Sequence, residues 1–198
     1  MKPTLQDALN HGAGLLRSGR ADAAKQVADA LLRQFPGTAV VRLFAADASA
    51  ASGDMTAALA CLDAVPAAAP EYPLAALKKS RCLFAVGRRA DAVRFAQEAA
   101  DRVGDDPALM RMLAGILRDC QDVGGAHAWL SRALDAAPGD PGVLYDLALA
   151  EYHLNRPDDA EAHIAQLLDV VPLHAPALHL RSALRTQTAS DNHVEDLR

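Results

Sequence analysis

At 198 residues and a net charge of −5, the chain is long enough for one sizeable domain and too acidic to offer nucleic-acid phosphates a broad cationic face. It is 51% hydrophobic, yet aromatics supply only 4% and alanine alone supplies 44 residues, a composition that suits closely packed helices and disfavours strands. The scattered Cys61, Cys82 and Cys120 build no disulfide framework, Met1 to Asp7 lacks a signal-like apolar stretch, and no apolar run reaches the roughly 18–20 residues that span a bilayer, so a cytoplasmic protein is expected.

Taken in order, the predicted elements repeat every 34 residues. The first unit, 5–38, carries Gly12 in one helix, Gly19 at a turn, Ala24 in a second helix and Pro36 after it. The second, 39–72, repeats these as Ala46, Gly53, Ala58 and Pro70. Its extra Pro66 is expected to end the second helix early and leave Ala67 to Pro70 as a loop. The third, 73–106, has Ser80, Gly87, Ala92 and, in place of proline, Gly104. The fourth, 107–140, has Ala114, Gln121, Ala126 and Pro138. Gly124 and Gly125 open its second helix and loosen it by about 1 kcal/mol each relative to Ala. The fifth, 141–174, has Ala148, Asn155, Ala160 and Pro172. Here Leu144, Leu147, Ala148 and Glu151 form one stripe, facing Ala160, Ile164 and Leu167. A helix over 175–187, with Leu178, Leu180 and Leu184, is expected to cap the last apolar face, and 188–198 reads as a polar tail or junction.

Small residues at two fixed places let the paired helices approach, where a bulky side chain would overpack the contact by roughly 1–3 kcal/mol. Glycine or asparagine tolerates the left-handed conformation that ends a helix, and proline blocks its continuation. This order of small, Gly, Ala and Pro columns at a 34-residue period resembles the tetratricopeptide repeat family. The resemblance implies an all-α fold, a right-handed superhelical solenoid of five hairpins plus a C-terminal capping helix. The family's large residue near the start of the first helix is Ala8, Arg42, Ala76, Met110 and Leu144 here.

In such a fold the first helix of each hairpin lines a concave groove. Register puts there, among others, Leu9, Val40, Leu43, Asp47, Leu74 and Leu77, followed by Arg81, Phe84, Arg111, Arg118, Tyr145, Leu149, Tyr152 and His153, with His179 added from the cap. Arginine and tyrosine are the residue types that make binding hot spots, and arginine grips carboxylates with two hydrogen bonds. The expected function is therefore a protein-interaction scaffold that holds an acidic peptide or protein segment in its groove, with no nucleic-acid or membrane partner. A chaperone-tail clamp is excluded, because its Lys and Asn positions hold Leu9, Ala13, Phe44 and Leu74, with Lys78 alone fitting.

Catalysis, metals and cofactors are not expected. His153 and His163 fall on different helices, His174 and His179 are on different faces of theirs, and His127 with Trp129 is expected on the outer side of its helix. No phosphate-binding glycine loop or nucleophile elbow is present. Leu184 to Thr188 and Asn192 to Val194 resemble the junction of bacterial proteins that join a tetratricopeptide array to a sulfotransferase domain. That resemblance implies an alternative role, the substrate-recruiting arm of a sulfotransferase whose catalytic domain lies outside this chain.

Overall fold

The computed structural model describes residues 4–184, and every regular element in that range is an α-helix. The chain forms two compact units, Met1–Arg102 and Val103–Arg198. The first holds α1 (Leu5–Arg17), α2 (Ala21–Gln34), α3 (Ala39–Ala51), α4 (Met55–Asp63), α5 (Tyr72–Ala85) and α6 (Arg89–Ala100). The second holds α7 (Pro107–Asp119), α8 (Val123–Ala136), α9 (Pro141–His153), α10 (Pro157–Val170) and α11 (Ala175–Leu184).

Each pair of helices turns back on itself in the same way. At the first turn the Gly19 amide donates to the Leu16 carbonyl and the Arg20 amide reaches back to Leu15. The same two bonds recur at Gly53, Gly87, Gln121 and Asn155. This Schellman closure requires a left-handed residue, and φ is +73°, +85°, +81°, +68° and +57° at these five positions. The turn column of the sequence is therefore a backbone requirement, met at two places by residues that bear side chains.

The two small-residue columns lie inside the hairpins. Gly12, Ala46, Ser80, Ala114 and Ala148 are buried, as are Ala24, Ala58, Ala92, Ala126 and Ala160. Ser80 is the polar exception, and its hydroxyl donates to the Ala92 carbonyl at 2.6 Å, so this buried hydroxyl is satisfied. The tip of the Phe44 ring fills the space that a Cβ on Gly12 would occupy. Within the first unit, α2 packs on α3 and α4 on α5, while α8 packs on α9 in the second. The stripe of the fifth hairpin is buried as read, including Glu151, and Ala177 and Leu180 of α11 join its cluster.

Pro66 acts as expected. Helix α4 stops at Asp63, and 64–71 form turns before α5 begins at Tyr72. Leu43 and Leu77, expected on an open groove, instead turn into the core, at 6% and 0% exposure. Gly125 proves to have a specific role beyond loosening α8. Its amide donates to the Asp122 carboxylate that caps the helix, and a Cβ there would collide with that carboxylate. Residues 185–198, which carry nearly all of the junction likeness, lie outside the described residues.

Candidate functional site

The candidate residues fall into two groups. Arg81 and Phe84 belong to the first unit, and Arg111, Arg118, Tyr145, Leu149, Tyr152, His153 and His179 to the second.

In the first unit, Arg81 stands on the exposed side of α5, on the rim of a cleft bounded by α3, α4 and α5. The cleft encloses about 220 Å³. It exists because small side chains, Ala46 and Ala50 on α3 and Ala85 on α5, leave the space between two helices unfilled; Met55 and Leu62 form further apolar wall. Lys78, one turn before Arg81, is tied to Asp47 with Nζ 2.5 Å from Oδ1. These two charges cancel at the rim, and Arg81, which forms no ion pair among the described residues, leaves the cleft net positive. Cys82 also lines it, but burial pushes this thiol's pKa up, so it stays a neutral wall residue at ordinary pH. Phe84 is half-buried, with the Arg89 guanidinium 5.5 Å from its ring centre.

In the second unit, Arg111 and Arg118 of α7 converge on one carboxylate of α9. Arg111 Nε donates to Asp146 Oδ2 at 2.5 Å, and Arg118 Nη1 is 3.8 Å from Oδ1. Gly142 makes room for this, since a Cβ there would meet the Arg111 guanidinium at 2.5 Å. Two cations share one anion, so this cluster also keeps a positive excess. Sequence register did not single out Asp146. The signal was the 35-residue interval to Arg111, close to the repeat length, which sets the two on equivalent helices of successive hairpins. Tyr145 and Leu149 pack on the core cluster of the fifth hairpin, and the Tyr145 ring lies 5.3 Å from that of His174. Tyr152 is exposed and meets His153 edge-on at 5.4 Å. His179 is exposed on α11, and its carbonyl accepts the Ser182 hydroxyl.

A second polar cluster lies inside the unit. Glu151 of α9 is 3% exposed, with His163 Nδ1 of α10 2.8 Å from Oε2 and His127 Nε2 of α8 3.4 Å from Oε1. The hydrogen bond to the Glu151 carboxylate raises the His163 pKa above its usual 6.5 despite burial, aided by the charges of Glu151 and Asp159 and by the Asp159 backbone. His127 therefore points inward, not to the outer side of α8 as expected; a buried carboxylate demands a donor and draws it in. Among the described residues no group of His, Cys, Asp and Glu is arranged to hold a metal, and no helix is long and apolar enough to cross a membrane.

Comparison with known proteins bears on what such hairpins are. No curated protein matches the sequence. Among solved structures, the chain is similar to TTC0263, described as a thermophilic TPR protein in Thermus thermophilus, at 22% identity and a TM-score of 0.71, covering 90% of this chain and 96% of that one. It is similar to pilF of Pseudomonas aeruginosa at 16% identity and a TM-score of 0.69, covering 89% and 81%. A third likeness is to YrrB, described as a TPR protein with an unusual peptide-binding site, at 16% identity and a TM-score of 0.59, covering 87% and 89%. At these identities the likeness speaks for the fold. Sequence models described as Tetratricopeptide repeat match residues 15–82 and 117–184, and another of the same description matches 77–141. With the repeated Schellman turns and buried small columns, these matches assign the chain to the tetratricopeptide repeat family.

Proposed function

We propose that the chain is a recognition scaffold that holds an acidic peptide or protein segment and performs no chemistry of its own. The candidate contacts form a separate surface in each unit, Arg81 and Phe84 in the first and Arg111, Arg118, Tyr145, Leu149, Tyr152, His153 and His179 in the second. Folds of this family serve in general as protein-interaction scaffolds, and the peptide-binding site named for YrrB is one instance among its structural neighbours. The observation that carries the acidic preference is a local reversal of charge. In a chain of net charge −5, both candidate groups keep a cationic excess: Arg81 is without an ion pair among the described residues, and Arg111 and Arg118 divide one carboxylate between them. Arginine in that state offers a carboxylate a charge-assisted, two-pronged bond.

The test is fluorescence anisotropy with acidic, leucine-containing peptides and their lysine-substituted counterparts. Acidic peptides should bind in a salt-sensitive way and the basic ones should not. Replacing Arg81, Arg111 and Arg118 together by Glu should abolish binding while helical content and cooperative melting persist. Undiminished binding to that variant would refute the assignment.

A further inference from the structure

We propose that the cleft between α3, α4 and α5 is an anchor pocket for one aliphatic side chain of the partner, whose adjacent carboxylate is taken by Arg81. This deepens the acidic-segment reading and rests on it. Size comes first. At about 220 Å³ the cleft is smaller than the roughly 300–1,000 Å³ of small-molecule sites, and it suits a single side chain. Chemistry comes next. The walls at Ala46, Met55 and Leu62 are aliphatic, with no ring to stack on, and the charged lining residues Asp47 and Lys78 are already paired with each other. A charged group set against these aliphatic walls would lose its water without gaining a partner. An aliphatic side chain loses nothing there and buries apolar surface.

The rim then selects the neighbour of that side chain. Lys78 and Asp47 satisfy each other, so neither recruits a ligand charge without breaking an existing pair. Arg81 is the cation left over, and the burial-raised pKa of Cys82 keeps the thiol from supplying a competing anion. The ligand is therefore an aliphatic residue beside a carboxylate. The carboxylate is the side chain of an adjacent Asp or Glu, the group that an acidic segment supplies along its length, and a terminal carboxylate is the contrary outcome of the test.

Methyl NMR of the full chain tests this with three probes: N-acetyl-leucine, N-acetyl-Leu-Asp amide and the neutral N-acetyl-leucine amide. The Met55 and Leu62 methyl signals should shift and saturate with the carboxylate-bearing probes. Tighter binding of the second supports the acidic side chain, and tighter binding of the first overturns it. The neutral probe should bind about tenfold more weakly, as loss of a charge-assisted bond predicts, and Arg81→Gln should erase that difference. Ala50→Leu fills the cleft and should abolish the shifts, with Ala85→Leu as the equivalent variant on the opposite wall should the first unfold. Unmoved Met55 and Leu62 signals, or an Arg81→Gln protein that still prefers the carboxylates, would overturn the proposal. Should Ala50→Leu bind the acidic peptides as tightly as the unaltered chain, while the triple arginine variant does not, the pocket falls and the acidic-partner reading stands. Should neither peptides nor small probes bind, both fall.

Discussion

Thermal stability should fall as pH rises past the imidazole range, and the cause should be traceable to Glu151. Its carboxylate is buried between α8, α9 and α10, faced by His127 from the first and by His163, with Asp159 behind it, from the last. The pKa of His163 is raised in the folded protein, so the imidazolium–carboxylate pair contributes fully below the unfolded value of about 6.5. That contribution is lost as pH climbs through the higher folded value, because the buried charge of Glu151 is then left without a counter-charge from His163. Removing one partner of a deeply buried pair costs roughly 3–5 kcal/mol, and a hydrogen bond to a charged group is worth about 1.5–3. The His163 side chain is one-fifth exposed and His127 remains within reach, which places His163→Ala at the low end, about 2–3 kcal/mol. For a chain of this size that lowers the melting temperature by roughly 4–12 °C. Circular dichroism melts from about pH 6 to about pH 8.5 read both effects. The unaltered chain should melt at lower temperature toward the alkaline side, and Glu151→Gln, which keeps the shape and removes the charge, should flatten that slope. A melting temperature that is constant or rises across the window, or an unchanged slope in Glu151→Gln, would refute the reasoning.

Two further predictions concern the repeat columns. Gly12→Ala should cost about 1–3 kcal/mol by driving a methyl into the Phe44 ring. Phe44→Leu in that background should cost less than it does alone, a coupling that a double-mutant cycle of denaturant melts reads directly. Gln121→Gly should stabilise the second unit: a side-chain-bearing residue at φ +68° costs roughly 1–2 kcal/mol, and the extra unfolded-state entropy of glycine offsets about 0.5–1 of the relief. The net gain of about 0.5–1 kcal/mol should appear as a higher urea midpoint with an unchanged slope.

What the sequence disclosed divides along a physical line. The proline, glycine and small-residue columns were legible because each answers a local demand, a stop, a left-handed φ or a close approach, that one residue type meets wherever the hairpin recurs. Gln121 and Asn155 sat in the glycine column although neither is glycine, and both hold the left-handed turn. Glu151 was legible as part of a buried stripe, and burial of a carboxylate already required a donor from a neighbouring helix. What remained hidden was which helix would supply it, because side-chain direction across a helix interface depends on packing angles that the period does not fix. The same limit concealed Asp146 under Arg111 and Arg118, and it concealed the pairing of Asp47, itself read onto the groove, with Lys78. Counting arginines on the predicted groove overstated its charge, since carboxylates from neighbouring hairpins cancel part of it. Arg81 differs in having no such carboxylate among the described residues, and it is also the arginine beside a cleft. In a fold whose hairpins repeat one backbone solution, specificity has to come from places where that repetition leaves a charge unmatched or a space unfilled, and around Arg81 both occur together.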